Sequence, residues 1–313
     1  MATRTLEILS HVQSPELEAI QQQIPETRFT PIPEEGPLPE GVRGEVCLTP
    51  AWGSPNMAAV IERGVRWVHT IGTGVDRFPL SAVGDAVLTC SRGASAVPIS
   101  EWTLAVMLAF EKRLPTSWAS RPPERWHMAE LGSLHGRTLG LVGLGGIATE
   151  IARRALAFGM QVVAYRRTRK PAPLPGIEVT HDLPALTARA DHLVVAASST
   201  PATRHIIGAE VLAHAQPHLH LINIARGTLI DQEALRAALD EERLACASLD
   251  VCEPEPLPEG HWLYEHPRVR LSPHISWSSP EAMAGLFDTF RRNLAHYLAD
   301  EPLEGVVDIE QGY

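Results

Sequence analysis

Several polar side chains stand directly after short apolar runs. Arg226 follows the run in "LINIARGTLIDQEAL". Asp250 closes the run in "ASLDVCEPEPLP", with Glu253 and Glu255 in the turn behind it. His274 follows the last such run in "VRLSPHISWSSPEA". If the runs are strands of an open α/β sheet, these side chains sit at the carboxyl ends, where such sheets bind ligands. Arginine there can grip an oxyanion, and imidazole and carboxylate can carry protons. Each residue alone also has a plain reading: a helix-capping arginine, a solvated acidic loop, a surface histidine.

A fourth segment has a sharper signature. In "GLVGLGGIA", Gly143, Gly145 and Ala148 match G-x-G-x-x-G/A between an apolar run and a helical pattern. Gly143 allows a tight turn, Gly145 lets the backbone approach a pyrophosphate, and Ala148 permits close helix–strand packing. The helix from Gly146 then aims its N–H groups at the phosphates. The following run, "QVVAY", should deliver its next residue to the adenosine ribose. An Asp or Glu would hold the ribose hydroxyls of NAD; here Arg166 and Arg167 stand there, with Thr168 behind them. Guanidinium forks suit a 2′-phosphate, so NADP(H) is expected to be preferred, with NAD(H) possible. The plain reading, a solvated basic turn, explains the charges but not the missing carboxylate.

The elements that must position these residues are legible along most of the chain. "TLEIL", "GEVCLT" and "VRWVHTI" read as strands, with helices in "SPELEAIQQQI" and "NMAAVIERG". "SAVPISEWTLAVMLAFEKRL" reads as one long helix, apolar on several faces through Trp102, Leu104, Val106, Met107, Leu108 and Phe110. Then "TLGLVGL", "QVVAY", "HLVVAA", "LHLINIA", "LACASLD" and "VRLS" alternate with helical patterns, and "SPEAMAGLFDTFRRNLAHYLAD" closes as an amphipathic helix. Alternating strands and helices imply parallel sheets, because parallel pairs need crossovers. The expected class is α/β. The expected division is a first domain over 1–94, completed by a helix in 277–313, and a second over 95–276.

Composition narrows the field. The 313 residues suffice for about two domains. A net charge of −10 argues against general nucleic-acid binding, which needs a cationic surface. The four cysteines form no CxxC pair, which points to reduced thiols and a cytoplasmic chain; no metal site is expected. No run is long enough for a membrane span, and the first residues carry no signal-peptide pattern.

Taken together and in order, the glycine turn, Arg226, Glu255 and His274 resemble the D-2-hydroxyacid dehydrogenase family, from "HTIGTGVD" to the terminal helix. The resemblance implies two doubly wound parallel-sheet domains, a Rossmann cofactor domain and a smaller flavodoxin-like substrate domain. It implies hydride transfer between NADPH and a small 2-oxo acid such as glyoxylate or hydroxypyruvate. It singles out Glu255 rather than Glu253, as the glutamate before the family's final proline. By the same resemblance, Arg226 grips the substrate, His274 protonates the keto oxygen, and Glu255 orients His274 and favours its protonated form. Thr73 and Gly74 hold the substrate carboxylate through their N–H groups. Gly146, Ile147, Ser198, Thr203, Ile224 and Asp250 join Gly143 and Gly145 along the cofactor, Asp250 at the nicotinamide amide. A homodimer through the cofactor domain is implied too.

Departures from the family pattern concern the grip and the pocket. Gly146 stands where many members carry Arg, Ser198 where many carry Pro, Cys252 where many carry an aromatic, and Trp277 where many are small. Trp277 either walls the substrate pocket or packs as a buried indole. A cofactor-sensing regulator on the same fold is the alternative from another class. A short-chain dehydrogenase is excluded because no tyrosine is followed four residues later by Lys; Tyr165, for one, has Arg169 there.

Overall fold

The computed structural model describes residues 5–123 and 125–313. In chain order, β1 (Leu6–Ser10), α1 (Pro15–Gln23), β2 (Thr27–Pro31), β3 (Val46–Pro50), α2 (Met57–Ile61), β4 (Trp67–Ile71) and β5 (Val87–Cys90) come first. Then follow α3 (Ala96–Glu111), β6 (Thr138–Val142), α4 (Gly146–Ala157), β7 (Gln161–Tyr165), β8 (Ile177–Thr180), α5 (Leu183–Arg189) and β9 (His192–Val195). The chain ends with α6 (Ala209–Leu212), β10 (His220–Asn223), α7 (Gln232–Asp240), β11 (Cys246–Leu249), β12 (Val269–Leu271) and α8 (Pro280–Leu298).

Two compact units result. One runs up to Ser95 and includes Ser278–Tyr313; the other is Ala96–Trp277. The first unit holds a five-stranded parallel sheet ordered β2-β1-β3-β4-β5, the flavodoxin-like order. One of its cores joins Leu6, Ile8, Leu48 and Trp67 to Phe287, Phe290 and Leu294 of α8, so the terminal helix does complete this unit. Ser279 caps that helix, accepting from the Ala282 N–H.

The second unit holds a seven-stranded parallel sheet ordered β12-β11-β10-β9-β6-β7-β8, the Rossmann order. Its central strands are fully buried and largely apolar, as strands covered on both faces are. Helix α4 turns Ala148, Ile151, Ala152 and Ala155 inward. The three alanines let it lie close to the sheet, within a core that also takes Ile99, Leu104 and Met107 of α3. Helix α3 stops at Glu111, short of the predicted extent.

Register places the site. Val142, Val195, Asn223, Leu249 and Leu271 are paired partners across β6, β9, β10, β11 and β12. Residues beyond that row all leave the sheet at one edge. That row is the reason the glycine turn, Arg226, Asp250 and His274 emerge together.

Candidate active site

The glycine turn is built as its sequence requires. Gly143 has φ +96°, and a Cβ there would meet the Ala197 backbone at 2.8 Å. Any side chain is therefore excluded both by conformation and by space. At Gly145 and Gly146 an added Cβ would meet nothing within 4 Å. Both glycines open the N-terminus of the 12-residue α4, where free N–H groups and the positive dipole end favour an anion. An open groove of about 480 Å³ runs past Leu144, Gly145, Gly146 and Thr149 to Arg166, Lys170 and Pro171. Shape and donors fit a dinucleotide pyrophosphate. Ala148 is fully buried, and Ile147 packs half-buried against the same core.

Arg166 follows the last residue of β7 and lines this groove. Its Nη1 donates to the carbonyls of Lys170 and Pro171, at 3.1 and 3.0 Å. His181 Nδ1 lies 2.6 Å from the Arg166 carbonyl. The guanidinium thus shapes the basic turn with one nitrogen, while Arg167 and Thr168 are exposed. Thr203 is engaged in the loop after β9: its hydroxyl donates to the Ser198 carbonyl (2.7 Å) and accepts the Thr200 N–H (2.8 Å). Ile224 is 5% exposed and belongs to the core under the groove.

On the same sheet edge, His274 Nδ1 lies 3.0 Å from Glu255 Oε2, so its N–H donates to the carboxylate. This selects Glu255 over Glu253, whose carboxylate faces Arg204 through two bonds of 3.1 and 3.2 Å. The other Glu255 oxygen accepts the Cys252 N–H at 3.1 Å. Burial, reinforced by the Glu255 charge, pushes the Cys252 thiol up to about 11. The thiol therefore stays protonated near neutral pH and is a poor nucleophile.

His274 has φ +56°, an uncommon conformation that must be held from outside. Asp250 holds it. Its backbone carbonyl accepts the His274 N–H at 2.8 Å. Its carboxylate accepts from Ser272 Oγ (2.6 Å), Ile275 N–H (2.9 Å) and Ser276 N–H (2.9 Å). The sequence reading placed Asp250 at the nicotinamide amide. In the structure its carboxylate, 1% exposed, holds the histidine turn, a role that the sequence did not reveal.

Arg226 leaves β10 through a turn clasped by Asn223. That side chain donates to the Arg226 carbonyl (2.8 Å) and accepts the Ala225 N–H (3.1 Å). Asn223 went unnoticed in the sequence, although an amide closing the apolar run "LHLINIA" is a usable signal. Trp277 is half-buried against the core shared by α3 and α4, and its indole N–H donates to the His274 carbonyl at 3.0 Å. These contacts are those of a packed indole bracing the histidine turn. Thr73 and Gly74 are carried by the first unit, in the loop leaving β4.

The sequence pattern described as "D-isomer specific 2-hydroxyacid dehydrogenase, NAD binding domain" matches residues 104–276. The chain belongs to the D-2-hydroxyacid dehydrogenase family. It is 34% identical over 234 residues to a hydroxypyruvate reductase of Thermotoga maritima, covering 72% of this chain and 76% of that protein. It is 33% identical over 258 residues to a D-3-phosphoglycerate dehydrogenase of Methanocaldococcus jannaschii, covering 80% of this chain and 49% of the relative. The chain thus spans about half the length of that longer relative. Among solved structures, a D-isomer specific 2-hydroxyacid dehydrogenase of Xanthobacter autotrophicus in complex with NADPH and MES superposes with a TM-score of 0.84. It is 27% identical and covers 99% of this chain and all of that one.

Proposed function

We propose that the protein reduces small 2-oxo acids of the glyoxylate or hydroxypyruvate kind to D-2-hydroxy acids, using NADPH in preference to NADH. The observation that carries this reading is the His274–Glu255 pair, 3.0 Å apart, on the same sheet edge as the open glycine turn. A dinucleotide held at the glycine turn by Gly143, Gly145 and Gly146 would supply the hydride from its nicotinamide. Because the Nδ1–H donates to Glu255, the ring presents Nε2 for exchange with substrate. His274 gives the Nε2 proton to the keto oxygen as charge develops there, and the Glu255 carboxylate stabilises the imidazolium beforehand. Arg226 supplies a planar fork to the substrate's carboxylate and keto oxygen. Thr73 and Gly74 bind the carboxylate through backbone N–H groups.

Several supports come from elsewhere in the chain. Arg166 and Lys170 at the groove, and the absence of a carboxylate after β7, favour the 2′-phosphate. A homodimer through the second unit follows the family resemblance, and Val97 of α3 leaves an apolar side chain 47% exposed. All four cysteines are free thiols, in keeping with a cytoplasmic setting. Among the described residues no helix is long and apolar enough to cross a membrane.

The test is kcat/KM for a panel of 2-oxo acids with each cofactor. Glyoxylate or hydroxypyruvate should rank first, NADPH should exceed NADH, and His274→Ala should lower kcat by roughly 10²–10⁴. Near-full activity in the alanine variant would remove His274 from the role of acid. Cofactor binding without turnover of any 2-oxo acid would favour the regulator.

A further inference from the structure

We infer that Gln232 is a positioning residue for the acid pair: its side-chain amide clamps the backbone of Glu253 and so aims Glu255 at His274. The inference rests on the reading that His274 and Glu255 move the proton.

Glu255 stands in "VCEPEPL", a segment outside any helix or strand. Pro254 and Pro256 have no N–H, so this loop lacks two of the donors that ordinarily fix backbone. The two amides at its start donate to side chains instead. Cys252 donates to Glu255 itself, and Glu253 donates to Gln232 Oε1 at 3.1 Å. Gln232 Nε2 in turn donates to the Glu253 carbonyl at 2.6 Å. One side chain therefore satisfies both polar groups of one residue, as a neighbouring strand would. A glutamine can do this because it carries one donor and one acceptor group; glutamate, lysine and methionine cannot.

The clamp is mounted on a rigid base. Gln232 is the first residue of α7, whose N-cap Asp231 accepts from the Glu233 and Ala234 N–H groups. Leu235, Ala238 and Leu239 bury the inner face of that helix. The same segment begins just after Arg226. A Cβ on Gly227 would lie 2.0 Å from the Cys252 carbonyl carbon, so the Arg226 turn and the Glu255 loop touch backbone to backbone. Gly227 sets the distance between the two loops, and Gln232 sets the direction in which the second one runs. Without the clamp, Cys252–Glu253 can swing, and Glu255 loses its angle on Nδ1. The other charged groups near the clamp include Arg226, Asp231, Glu233, Asp250 and the Arg204–Glu253 pair. None of these side chains is itself replaced in the Gln232 variants.

The experiment compares Gln232→Met, Gln232→Glu, Glu255→Gln and the double variant Gln232→Met/Glu255→Gln in the full chain. The first readout is the titration of His274, followed by NMR on ¹⁵N-histidine-labelled protein. The second is kcat and KM with glyoxylate and NADPH. Gln232→Met should move the His274 midpoint in the same direction as Glu255→Gln. It should lower kcat by about 3- to 30-fold and leave the cofactor KM unchanged. Gln232→Glu, which keeps the acceptor for the Glu253 N–H, should fall between. The double variant should be no worse than Glu255→Gln alone, because both act through one contact. An unmoved His274 midpoint in Gln232→Met, or additive losses in the double variant, would overturn the inference and leave Gln232 a structural prop. If the parent protein turns over no 2-oxo acid, the reductase reading fails, and the NMR titration still decides the clamp.

Discussion

Replacing Asp250 by Asn changes one atom and should cost the histidine turn its hold. Oδ1 accepts from Ser272 Oγ and the Ile275 N–H, and Oδ2 accepts from the Ser276 N–H. An amide has a single acceptor oxygen. With its oxygen in the Oδ1 position, Asn keeps two bonds and turns its NH₂ on the N–H of Ser276, a residue 4% exposed. The lost bond to a charged acceptor is worth about 1.5–3 kcal/mol, and the remaining two weaken to roughly half on losing the charge. The gross loss is about 3–6 kcal/mol, reduced to roughly 2–4 because a neutral amide is easier to bury. For a unit of this size, Tm should fall by roughly 5–15 °C. The turn also carries His274 at φ +56°, so a shift of a fraction of an ångström should lower kcat at least about tenfold. Calorimetry and steady-state kinetics on the one variant check both numbers. A Tm within about 1 °C of the parent, with kcat within about twofold, would show that the carboxylate does not hold the turn.

Other expectations follow from the same contacts. Arg166→Asp should abolish a preference for NADPH of about 10- to 1000-fold, measured as the kcat/KM ratio of the two cofactors; an unchanged ratio would mean that Arg166 only braces its own turn. Trp277→Phe should leave the ranking of 2-oxo acids unchanged and cost about 1 kcal/mol for the lost bond to the His274 carbonyl; acceptance of longer substrates by Trp277→Ala at unchanged Tm would instead make the indole a pocket wall. His69 is buried, and desolvation lowers it from 6.5 to about 3. The unfolded chain therefore takes up a proton that the folded chain refuses, and stability falls as pH drops from about 6.5 toward 3, by roughly 2 kcal/mol at pH 5. His69→Gln should flatten this slope in urea titrations at pH 7 and pH 5, and an identical slope would contradict the argument.

The central strands were legible because burial on both faces makes them continuous apolar runs, as in "HLVVAA" and "LHLINIA". The strands left unread were β2, β5 and β8. Each lies at the margin of its sheet. Edge strands bury less, and "TRFTP" and "IEVT" show partly exposed patterns without a clean alternation. The proposed catalytic set, Arg226, Glu255 and His274, was legible as a recognisable order behind a glycine turn. Their supports were not. Asn223, Gln232 and Asp250 work by bonding to backbone groups of other loops, or of their own turn. Such bonds are set by three-dimensional proximity and leave no periodicity in the chain. The expectation for α3 ran too far because "FEKRL" continues the apolar pattern, whereas the Gly132 amide takes up the carbonyl of Glu111, the last residue of the helix.

The return of α8 makes the second unit an insertion within the first, and this orders events on the ribosome. Residues Ala96–Trp277 are contiguous and can fold as soon as they emerge. The first unit cannot: Leu6, Ile8 and Trp67 share a core with Phe287, Phe290 and Leu294. During synthesis its sheet must wait, with that apolar face uncovered, until about two hundred further residues have been added. The earliest part of the chain to be made is thus among the last to be finished, and it is the part in which a nascent-chain chaperone would find exposed surface.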